Sequence, residues 1–401
     1  MSSLRTSPVD VAIVGGCGHV GLPLGLVFAD RGLQVELVDR DAESCRQVNR
    51  GVVPFAEPGA DEILTRVRDS GGIRATTDPQ AVGRAENVVV VIGTPIDEHH
   101  NPDLNAVQAT ISEIGASLVD GQLLVLRSTV YPGVTAMVEQ LVERLGKDVD
   151  VAFCPERVAE GQAIAELCEL PQIVSSRSAR ALDRATKLFR TLTHEIVFLE
   201  PEEAELAKLF TNTWRYIKFA TANQLYMMAN DFGLDYERIR SAVTYKYPRA
   251  ADLPGAGFAA GPCLFKDTMQ LAAFNNNNFQ LGQASVMINE GLPLYLVARL
   301  EQRYDLSNMR VGILGMAFKA ESDDIRSSLS YKLRRILRFK AKEVLCHDPY
   351  VTIDDELAPI EQILTTADLL VIATPHAEYA DLQTHLPVVD IWNLRKDGVE
   401  V

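Results

Sequence analysis

The chain has 401 residues, 47% hydrophobic and 23% charged, which is enough for two or three domains with cores of their own. A net charge of −15 argues against sequence-independent binding to DNA, RNA or anionic membranes. Because no apolar run reaches the roughly 18 residues of a membrane span, and the N-terminus lacks the apolar core of a signal peptide, we expect a cytoplasmic protein.

The chain begins with the pattern of a strand, a glycine turn and a helix. Residues 11–14 form a β-branched run, residues 15–21 read Gly-Gly-Cys-Gly-His-Val-Gly, and residues 22–29 favour a helix. A second strand at residues 34–38 ends in Asp39, at the spacing expected for a carboxylate that binds the adenosine ribose. The pattern predicts a dinucleotide site, and a turn that only packs a strand on a helix is the alternative.

Each glycine of this turn has a role in such a site. We expect Gly16 to allow the tight turn, Gly18 to let the backbone reach the pyrophosphate, and Gly21 to let the helix pack closely on the strand. Asp39 favours NAD over NADP, because it repels the additional phosphate. The turn also contributes two further candidates for cofactor binding, His19 and Val20.

Two further apolar runs, residues 88–92 and 123–126, predict strands that are buried on both faces. Polar residues just past such strands lie at the ligand-binding edge of a parallel sheet. Thr94, Pro95 and Thr129 are therefore candidate site residues. The alternative is that the threonines cap the helices that follow.

A long helical pattern runs from residue 201 to residue 232, and a second helix is predicted from residue 235 to residue 243. Lys208 and Asn212 are four residues apart in the first of these, so they project from the same face. They are candidates for a catalytic pair. A solvated lysine beside a surface amide is the alternative.

A new α/β segment begins at residues 310–316, where a strand again leads into a glycine turn. Later strands are predicted at residues 344–348, 369–374 and 388–391. Because the glycine set is incomplete, we expect a nucleotide of another kind here and not a second NAD. The predicted fold class is α/β, with two Rossmann-like, doubly wound domains joined by a central helical region.

Cys263 stands between the turn residues Gly261 and Pro262 and a following lysine and carboxylate, Lys266 and Asp267. A nearby cation stabilises the reactive thiolate, and the carboxylate could handle a proton or a water. A buried, inert cysteine is the alternative. The six cysteines contain no CxxC pair, which suggests reduced thiols and neither a structural zinc nor a disulfide framework.

Together these segments resemble the UDP-glucose/GDP-mannose dehydrogenase family, the NAD-dependent nucleotide-sugar 6-dehydrogenases, over essentially the whole chain. The motifs that carry the resemblance are the glycine turn with Asp39, residues 127–133 (RSTVYPG), 154–161 (CPERVAEG), 205–212, the Cys263 segment, and 314–319 (LGMAFK) with 323–326 (DDIR). The resemblance implies an NAD-binding domain at residues 1–200, a central helical domain at 201–300 that carries the cysteine loop and forms a homodimer, and a nucleotide-sugar-binding domain at 301–401.

The resemblance also implies a reaction that oxidises C6 of the sugar from an alcohol to a carboxylate, with two NAD+ and one water. Cys263 matches the family's nucleophile, which forms a thiohemiacetal and then a thioester. Lys208 and Asn212 match the pair that stabilises negative oxygen on the reacting carbon. Three further matches are Asp267 and Thr129, which position or activate water, and Glu160, which acts as an acid or base.

For ligand binding, the resemblance implies that residues 258–261 wrap the nucleotide sugar with backbone groups. Glu156 matches a residue that binds substrate or has a structural role, and Lys266 matches one that lowers the pKa of the cysteine or contacts a ligand. Lys319 and Arg395 match residues that hold the sugar or the diphosphate. Arg249 matches a residue that reaches the site of the neighbouring subunit. Within residues 258–261, Phe258 and Gly261 are the two residues expected to contact the substrate. Pro262 departs from the usual Gly-Gly pattern before the cysteine.

UDP-glucose leads UDP-N-acetylmannosamine slightly as the expected substrate. Two other functions compete with this one. A two-electron dehydrogenase of the 3-hydroxyacid or 6-phosphogluconate type shares the Rossmann domain and the Lys/Asn pair but has no use for Cys263. A non-catalytic protein that binds NAD or a nucleotide sugar would keep the fold and tolerate the loss of that cysteine.

Overall fold

The structure is a computed structural model that describes residues 9–93, 103 and 105–397. The chain divides into two compact units, Met1–Phe210 and Thr211–Val401. The bounds of the three domains expected from the sequence stay a prediction. None of the described helices combines the length and the apolar character that crossing a lipid bilayer requires.

The first unit is built on an eight-stranded sheet with the strand order β3-β2-β1-β4-β5-β6-β7-β8. Its strands are β1 (Val9–Val14), β2 (Val35–Val38), β3 (Ile73–Thr76), β4 (Ala85–Val90), β5 (Leu123–Leu126), β6 (Asp150–Phe153), β7 (Gln172–Ser175) and β8 (Ile196–Leu199). Neighbouring strands are parallel except for β6 and β7, which are antiparallel. The order of the first six strands is that of a doubly wound dinucleotide-binding fold.

Helices cover both faces of this sheet. They are α1 (Gly21–Asp30), α2 (Ala42–Arg50), α3 (Ala60–Asp69), α4 (Asn105–Gly115), α5 (Val134–Arg144), α6 (Ala163–Glu169) and α7 (Ala179–Phe189), with a short 3-10 helix at Pro79–Arg84. In β1, Val11 and Ile13 face one apolar core while Ala12 and Val14 face the other. This two-sided burial explains why the strands read as continuous apolar runs.

The second unit contains a helical part and a smaller sheet. The helix α8 (Pro201–Asp231) begins in the first unit and continues into the second. The other elements are α9 (Tyr236–Thr244), α10 (Leu264–Phe274), α11 (Gln280–Arg303), β9 (Arg310–Leu314), α12 (Leu329–Leu337), β10 (Glu343–His347), α13 (Ile360–Thr366), β11 (Leu369–Ile372) and β12 (Val388–Asp390), with 3-10 turns at Pro248–Ala250, Leu306–Asn308 and Ala377–Tyr379. The strand order is β10-β9-β11-β12, and all neighbours are parallel.

The predicted fold class is confirmed: the chain contains two mainly parallel α/β sheets, and a helical region lies between them in the sequence. The predicted elements occur with small shifts in their bounds. The strand expected at residues 88–92, for example, is β4, which ends at Val90. The polar run at residues 275–278 is part of the connection between α10 and α11.

A fully buried arginine joins the ends of three strands in the first unit. Arg127 follows β5, and its Nη1 donates to the carbonyl oxygen of Cys154 at 3.0 Å. Its Nη2 donates to Glu156 Oε2 at 2.5 Å and to Gln172 Oε1 at 2.9 Å, and its guanidinium lies 4.8 Å from the ring centre of Phe189. Such a buried pair is tolerated only while both charges keep their partners.

Arg127→Met should therefore lower the free energy of unfolding by about 3–5 kcal/mol, because it leaves the Glu156 carboxylate buried without its cation. Chemical denaturation measures the change. The matched control is Arg46→Met, which removes a solvent-exposed Arg–Glu pair with Glu43 and should have no measurable effect. Adding Glu156→Gln to Arg127→Met should recover part of the loss, and equal effects of the buried and exposed substitutions would contradict this account.

Candidate active site

The glycine turn after β1 leaves one position open to a ligand. Gly15 has φ +76°, and a Cβ there would lie 1.7 Å from a backbone oxygen; at Gly21 it would lie 2.3 Å from one. A Cβ on Gly16 would lie 2.8 Å from the side chain of Leu37. The tight turn therefore depends on Gly15, whose φ is positive, and not on Gly16 as predicted. Gly16 is needed because a side chain there would clash with its neighbours. Gly18 differs, since the nearest atom to a Cβ there is 3.9 Å away. Packing does not require that glycine, whereas close approach of a pyrophosphate does.

Asp39 lies beside this turn at the end of β2, as predicted. Its Oδ2 accepts a hydrogen bond from the backbone N–H of Cys17 at 2.9 Å, and its Oδ1 accepts one from Asp41 at 3.0 Å. A carboxylate has about four acceptor positions, so capacity for ribose hydroxyls remains. Asp39, the unobstructed backbone at Gly18 and the N-terminus of α1 together form a set of groups that fits NAD.

A cavity of about 410 Å³ lies over the turn and the ends of the strands. It is lined by Val14, Gly15, Gly18, Val38, Asp39, Arg40, Thr77, Pro79, Val91, Ile92, Gly93, Ala106, Ala109, Thr110, Glu113 and Ile114. Its size and mixed lining suit the adenosine half of a dinucleotide. Two cofactor candidates, Thr94 and Pro95, lie outside the described residues.

The turn is also next to the predicted acid/base residue. The His19 ring stacks on Phe55 with centroids 4.1 Å apart, and its Nε2 lies 3.5 Å from Glu160 Oε1. Glu57 fixes the loop that carries Glu160, because its carboxylate accepts hydrogen bonds from the backbone N–H groups of Gly161 and Ala163, each at 2.8 Å. The sequence identified His19 and Glu160 separately, and the structure brings them together. Val20, which precedes α1, is half-buried.

Glu156, four residues before Glu160, has both carboxylate oxygens engaged by the protein. Oε2 accepts from Arg127, and Oε1 accepts from the backbone N–H groups of Arg157 and Val158 at 2.6 and 3.0 Å. Of the two roles considered for Glu156, this arrangement favours the structural one.

A buried carboxylate connects the segment of Thr129 to the helix of Lys208. Glu205, in the first turn and a half of α8, accepts hydrogen bonds at the start of α5 from the N–H of Gly133 at 2.7 Å and from the N–H and hydroxyl of Thr135 at 2.8 and 2.6 Å. Burial raises the pKa of Glu205, and these donors oppose the shift. Thr129, in the loop before α5, is half-buried.

Lys208 and Asn212 lie one turn apart on α8, with only 8% and 5% of their surface exposed. The alternative of a solvated lysine beside a surface amide is therefore wrong. Lysine is seldom buried without a specific reason, so this burial favours a functional pair.

Cys263 is exposed and caps the N-terminus of α10. The alternative of a buried cysteine is wrong, and the helix N-terminus favours a thiolate at this position. Other cysteines differ: burial raises the pKa of Cys154 and of Cys346 to about 12. The thiols of Cys17 and Cys45 lie in contact at 3.8 Å, and burial raises their pKa values as well.

The carboxylate of Asp267, one turn into α10, is completely buried. Its Oδ2 accepts a hydrogen bond from Asn212 Nδ2 at 2.5 Å, so the predicted helix pair and the predicted cysteine segment are in direct contact. Among the described residues, Oδ1 has no hydrogen-bond partner, although the ammonium of Lys266 lies 3.6 Å away. A buried acceptor of this kind is ready to bind a water or a substrate hydroxyl.

The loop before Cys263 is held by two buried asparagines that sequence reasoning missed. Asn223 on α8 accepts a hydrogen bond from the N–H of Gly257 at 2.9 Å and donates to its carbonyl at 3.0 Å. Asn289 on α11 accepts from Asn223 at 3.0 Å. Asn223 follows Asn212 by eleven residues, about three turns, and that spacing on one helix face was the available signal.

The substrate-binding candidates of the second unit occupy different environments. Gly261 has φ +103°, and a Cβ there would lie 2.7 Å from the ring of Phe318, so the loop and the turn after β9 are side by side. Lys319 follows that ring and is half-buried. Phe258 is buried in the core, so its backbone and not its ring is available to a ligand.

Arg395 and Arg249 are the two remaining candidates. Arg395 donates from Nη1 to the carbonyl of Leu382 at 3.4 Å, and its Nε lies 3.5 Å from Asp397 Oδ2. Arg249 is exposed, with its guanidinium 5.5 Å from the ring centre of Tyr247. An exposed position is compatible with the role expected toward a neighbouring subunit.

Profiles of three domains of one protein family match the chain. They are the NAD-binding domain at residues 9–193, the central domain at 202–291 and the UDP-binding domain at 312–397 of the UDP-glucose/GDP-mannose dehydrogenase family. The chain belongs to this family. It is therefore an NAD-dependent nucleotide-sugar dehydrogenase, which confirms the predicted family, cofactor and enzyme class.

Individual relatives agree over nearly the full length. A UDP-N-acetyl-D-mannosamine dehydrogenase of Pyrococcus horikoshii is 32% identical over 91% of this chain and 89% of its own. The enzyme of that name from Escherichia coli K12 is 28% identical over 91% and 93%. The structure of a UDP-glucose dehydrogenase from Pyrobaculum islandicum superposes with a TM-score of 0.90 at 26% identity, over 100% of this chain and 99% of the other.

Asn223→Ala should slow alkylation of Cys263 severalfold, because the loop before the cysteine loses both hydrogen bonds at Gly257 and no longer holds the thiol at the helix N-terminus that favours the reactive thiolate. The loss should also lower the free energy of unfolding by about 2–4 kcal/mol. Mass spectrometry of the alkylated peptide measures the rate. Asn49→Ala is the matched control, since it removes the same pair of bonds to Ala75 in the first unit. An alkylation rate at Cys263 that Asn223→Ala leaves unchanged would show that the asparagine does not position this loop.

Proposed function

We propose that the protein oxidises C6 of a UDP-linked hexose from an alcohol to a carboxylate in two steps, through a covalent intermediate on Cys263. The observation that carries this proposal is the exposed cysteine at the N-terminus of α10, one turn before a buried carboxylate that is bonded to Asn212. An active thiol of this kind needs a reducing compartment, which supports the cytoplasmic location expected from the sequence.

Cys263 accounts for the second oxidation. NAD+, when bound, supplies the hydride acceptor, and the two oxidations consume two NAD+ in succession. The aldehyde formed in the first step has no hydroxyl, so the Cys263 thiolate adds to its carbonyl carbon and produces a thiohemiacetal oxyanion. Lys208 and Asn212 stabilise the negative charge on that oxygen. After loss of the second hydride the carbon is a thioester, and a water attacks it to release the acid and the thiol.

The remaining polar groups manage water and protons. The open oxygen of Asp267 binds the attacking water and accepts a proton from it, with Thr129 as a second group that orients the water. Glu160 takes the proton that the alcohol releases in the first oxidation, and its neighbour His19 belongs to the turn that binds the cofactor. Lys266, close to both Cys263 and Asp267 in sequence, supplies positive charge that favours the thiolate.

The substrate is held mainly by the second unit. Lys319 and Arg395 bind the diphosphate or the sugar, and the backbone of residues 258–261 wraps the sugar. Because the relatives from Pyrococcus horikoshii and Escherichia coli are named UDP-N-acetyl-D-mannosamine dehydrogenases, we place that sugar ahead of UDP-glucose, which reverses the order expected from the sequence.

We also propose that the protein is a homodimer in which α8 contacts a second copy. Trp214, Leu225 and Met228 follow one another at intervals of eleven and three residues, so they form one stripe along α8, and Phe232, four residues on and directly after the helix, continues it. All four are exposed, and Phe232 has 82% of its surface accessible. A large apolar stripe on a folded protein commonly marks an interface. Arg249 then reaches the active site of the partner.

The number of NADH molecules formed for each sugar consumed tests the reaction. Two per sugar, with UDP-N-acetyl-D-mannosamine or UDP-glucose, is the expected result; one would indicate a two-electron dehydrogenase, and none would indicate a binding protein.

Cys263→Ser should reduce turnover at least about a thousandfold, because an ester to serine forms and hydrolyses poorly. NAD binding should persist. Cys168→Ser is the control, since Cys168 is the other cysteine that is not buried. Normal turnover by Cys263→Ser would refute the covalent mechanism.

Sedimentation velocity tests the dimer. Met228→Glu with Phe232→Glu should give a monomer, because two carboxylates in an apolar interface would be desolvated without partners. Phe339→Glu is the matched control at an equally exposed phenylalanine after α12, and it should leave the dimer intact. A wild-type protein that sediments as a monomer at micromolar concentration would contradict the proposal.

A further inference from the structure

The adenosine cavity contains two neighbouring residues that favour opposite cofactors. Asp39 is placed to bind the ribose 2′-hydroxyl of NAD and repels a 2′-phosphate, whereas an arginine near that position is the usual means of accommodating the 2′-phosphate of NADP. Arg40 follows Asp39 directly and lines the same cavity. Its side chain is 76% exposed, so it could turn toward a ligand. These two residues by themselves therefore do not decide between NAD and NADP.

A residue on another element resolves the ambiguity. Glu113, on α4, lines the cavity and accepts a hydrogen bond through Oε2 from Arg40 Nη2. The ion pair joins the loop after β2 to α4, two elements 73 residues apart in the chain. Asp39, Arg40 and Glu113 are the charged residues among the described lining, and together they have a net charge of −1.

We propose that Glu113 determines cofactor specificity by engaging the Arg40 guanidinium, so that the cavity selects NAD over NADP. While the pair is formed, Arg40 offers a 2′-phosphate no uncompensated positive charge, and Glu113 adds a second carboxylate to the repulsion from Asp39. The proposal rests on the assignment of the dinucleotide site to this unit and is independent of the sugar and of Cys263.

The exposure of the pair indicates that fold stability is not its main role. Ion pairs in solvent contribute little to stability, because water screens their attraction and two long side chains must be ordered. The same arginine binds a phosphate strongly once it is released, since a guanidinium can donate two parallel hydrogen bonds to phosphate oxygens. Loss of Glu113 should thus affect NADP far more than NAD.

Glu113→Gln tests this in the complete protein. Titration calorimetry without any sugar gives the dissociation constants of NAD+ and NADP+. We expect the ratio of the NADP+ constant to the NAD+ constant to fall about tenfold, close to what one charge interaction near 4 Å contributes when water screens it almost fully. In the double variant, Arg40→Gln with Glu113→Gln, the ratio of the two dissociation constants should return most of the way to its wild-type value. Glu43→Gln is the matched control, because it removes another exposed carboxylate from its arginine, Arg46, on α2.

Two results would overturn the proposal. One is an unchanged ratio in Glu113→Gln. The other is a double variant that accepts NADP+ as well as Glu113→Gln does, since the effect would then come from the charge of Glu113 alone and not from the release of Arg40. A wild-type protein that does not bind NAD+ would instead refute the dinucleotide site, and a failure of the sugar oxidation would leave these binding results unaffected.

Discussion

The hydrogen bond between Asn212 on α8 and the buried carboxylate of Asp267 on α10 is the interaction on which the proposed catalytic arrangement depends. A carboxylate is costly to bury unless polar groups satisfy it, so this bond fixes the first turn of α10 against α8. Cys263 lies at the start of that turn and is fixed with it. On the other side of the cysteine, Asn223 holds the loop at Gly257. One helix thus positions the chain both before and after the proposed nucleophile.

The first unit uses buried acids in a similar way. Glu57 accepts hydrogen bonds at the start of α6 and positions the loop of Glu160, and Glu205 does the same at the start of α5 for the loop of Thr129. The N–H groups at a helix N-terminus lack partners within the helix, so a carboxylate is a stable acceptor there. The loops at the edge of the sheet are in this way held by side chains that take no part in the chemistry.

The elements that could be predicted are those with a local signal. Buried parallel strands read as short apolar runs, and the turn after β1 shows its glycines, three of which are needed to avoid backbone clashes. The anchors could not be predicted, because each joins distant parts of the chain. Glu57 and Gly161 are 104 residues apart, and nothing in the composition near Glu57 identifies its partner. Strand β8 was not predicted, although its sequence, Ile-Val-Phe-Leu, is an apolar run; it is not a buried strand, because Val197 and Phe198 are exposed.

The sequence by itself determined the class of the protein: the glycine turn with Asp39 specified a dinucleotide site, and Cys263 with its following lysine and carboxylate specified a candidate nucleophile. Only the tertiary structure decided which side chains are exposed and which are paired. It exposed Cys263, buried Lys208, and placed Glu113 against Arg40. The physical reason is that backbone turns and strand patterns depend on neighbours along the chain, whereas burial and charge pairing depend on residues that come together only when the chain folds.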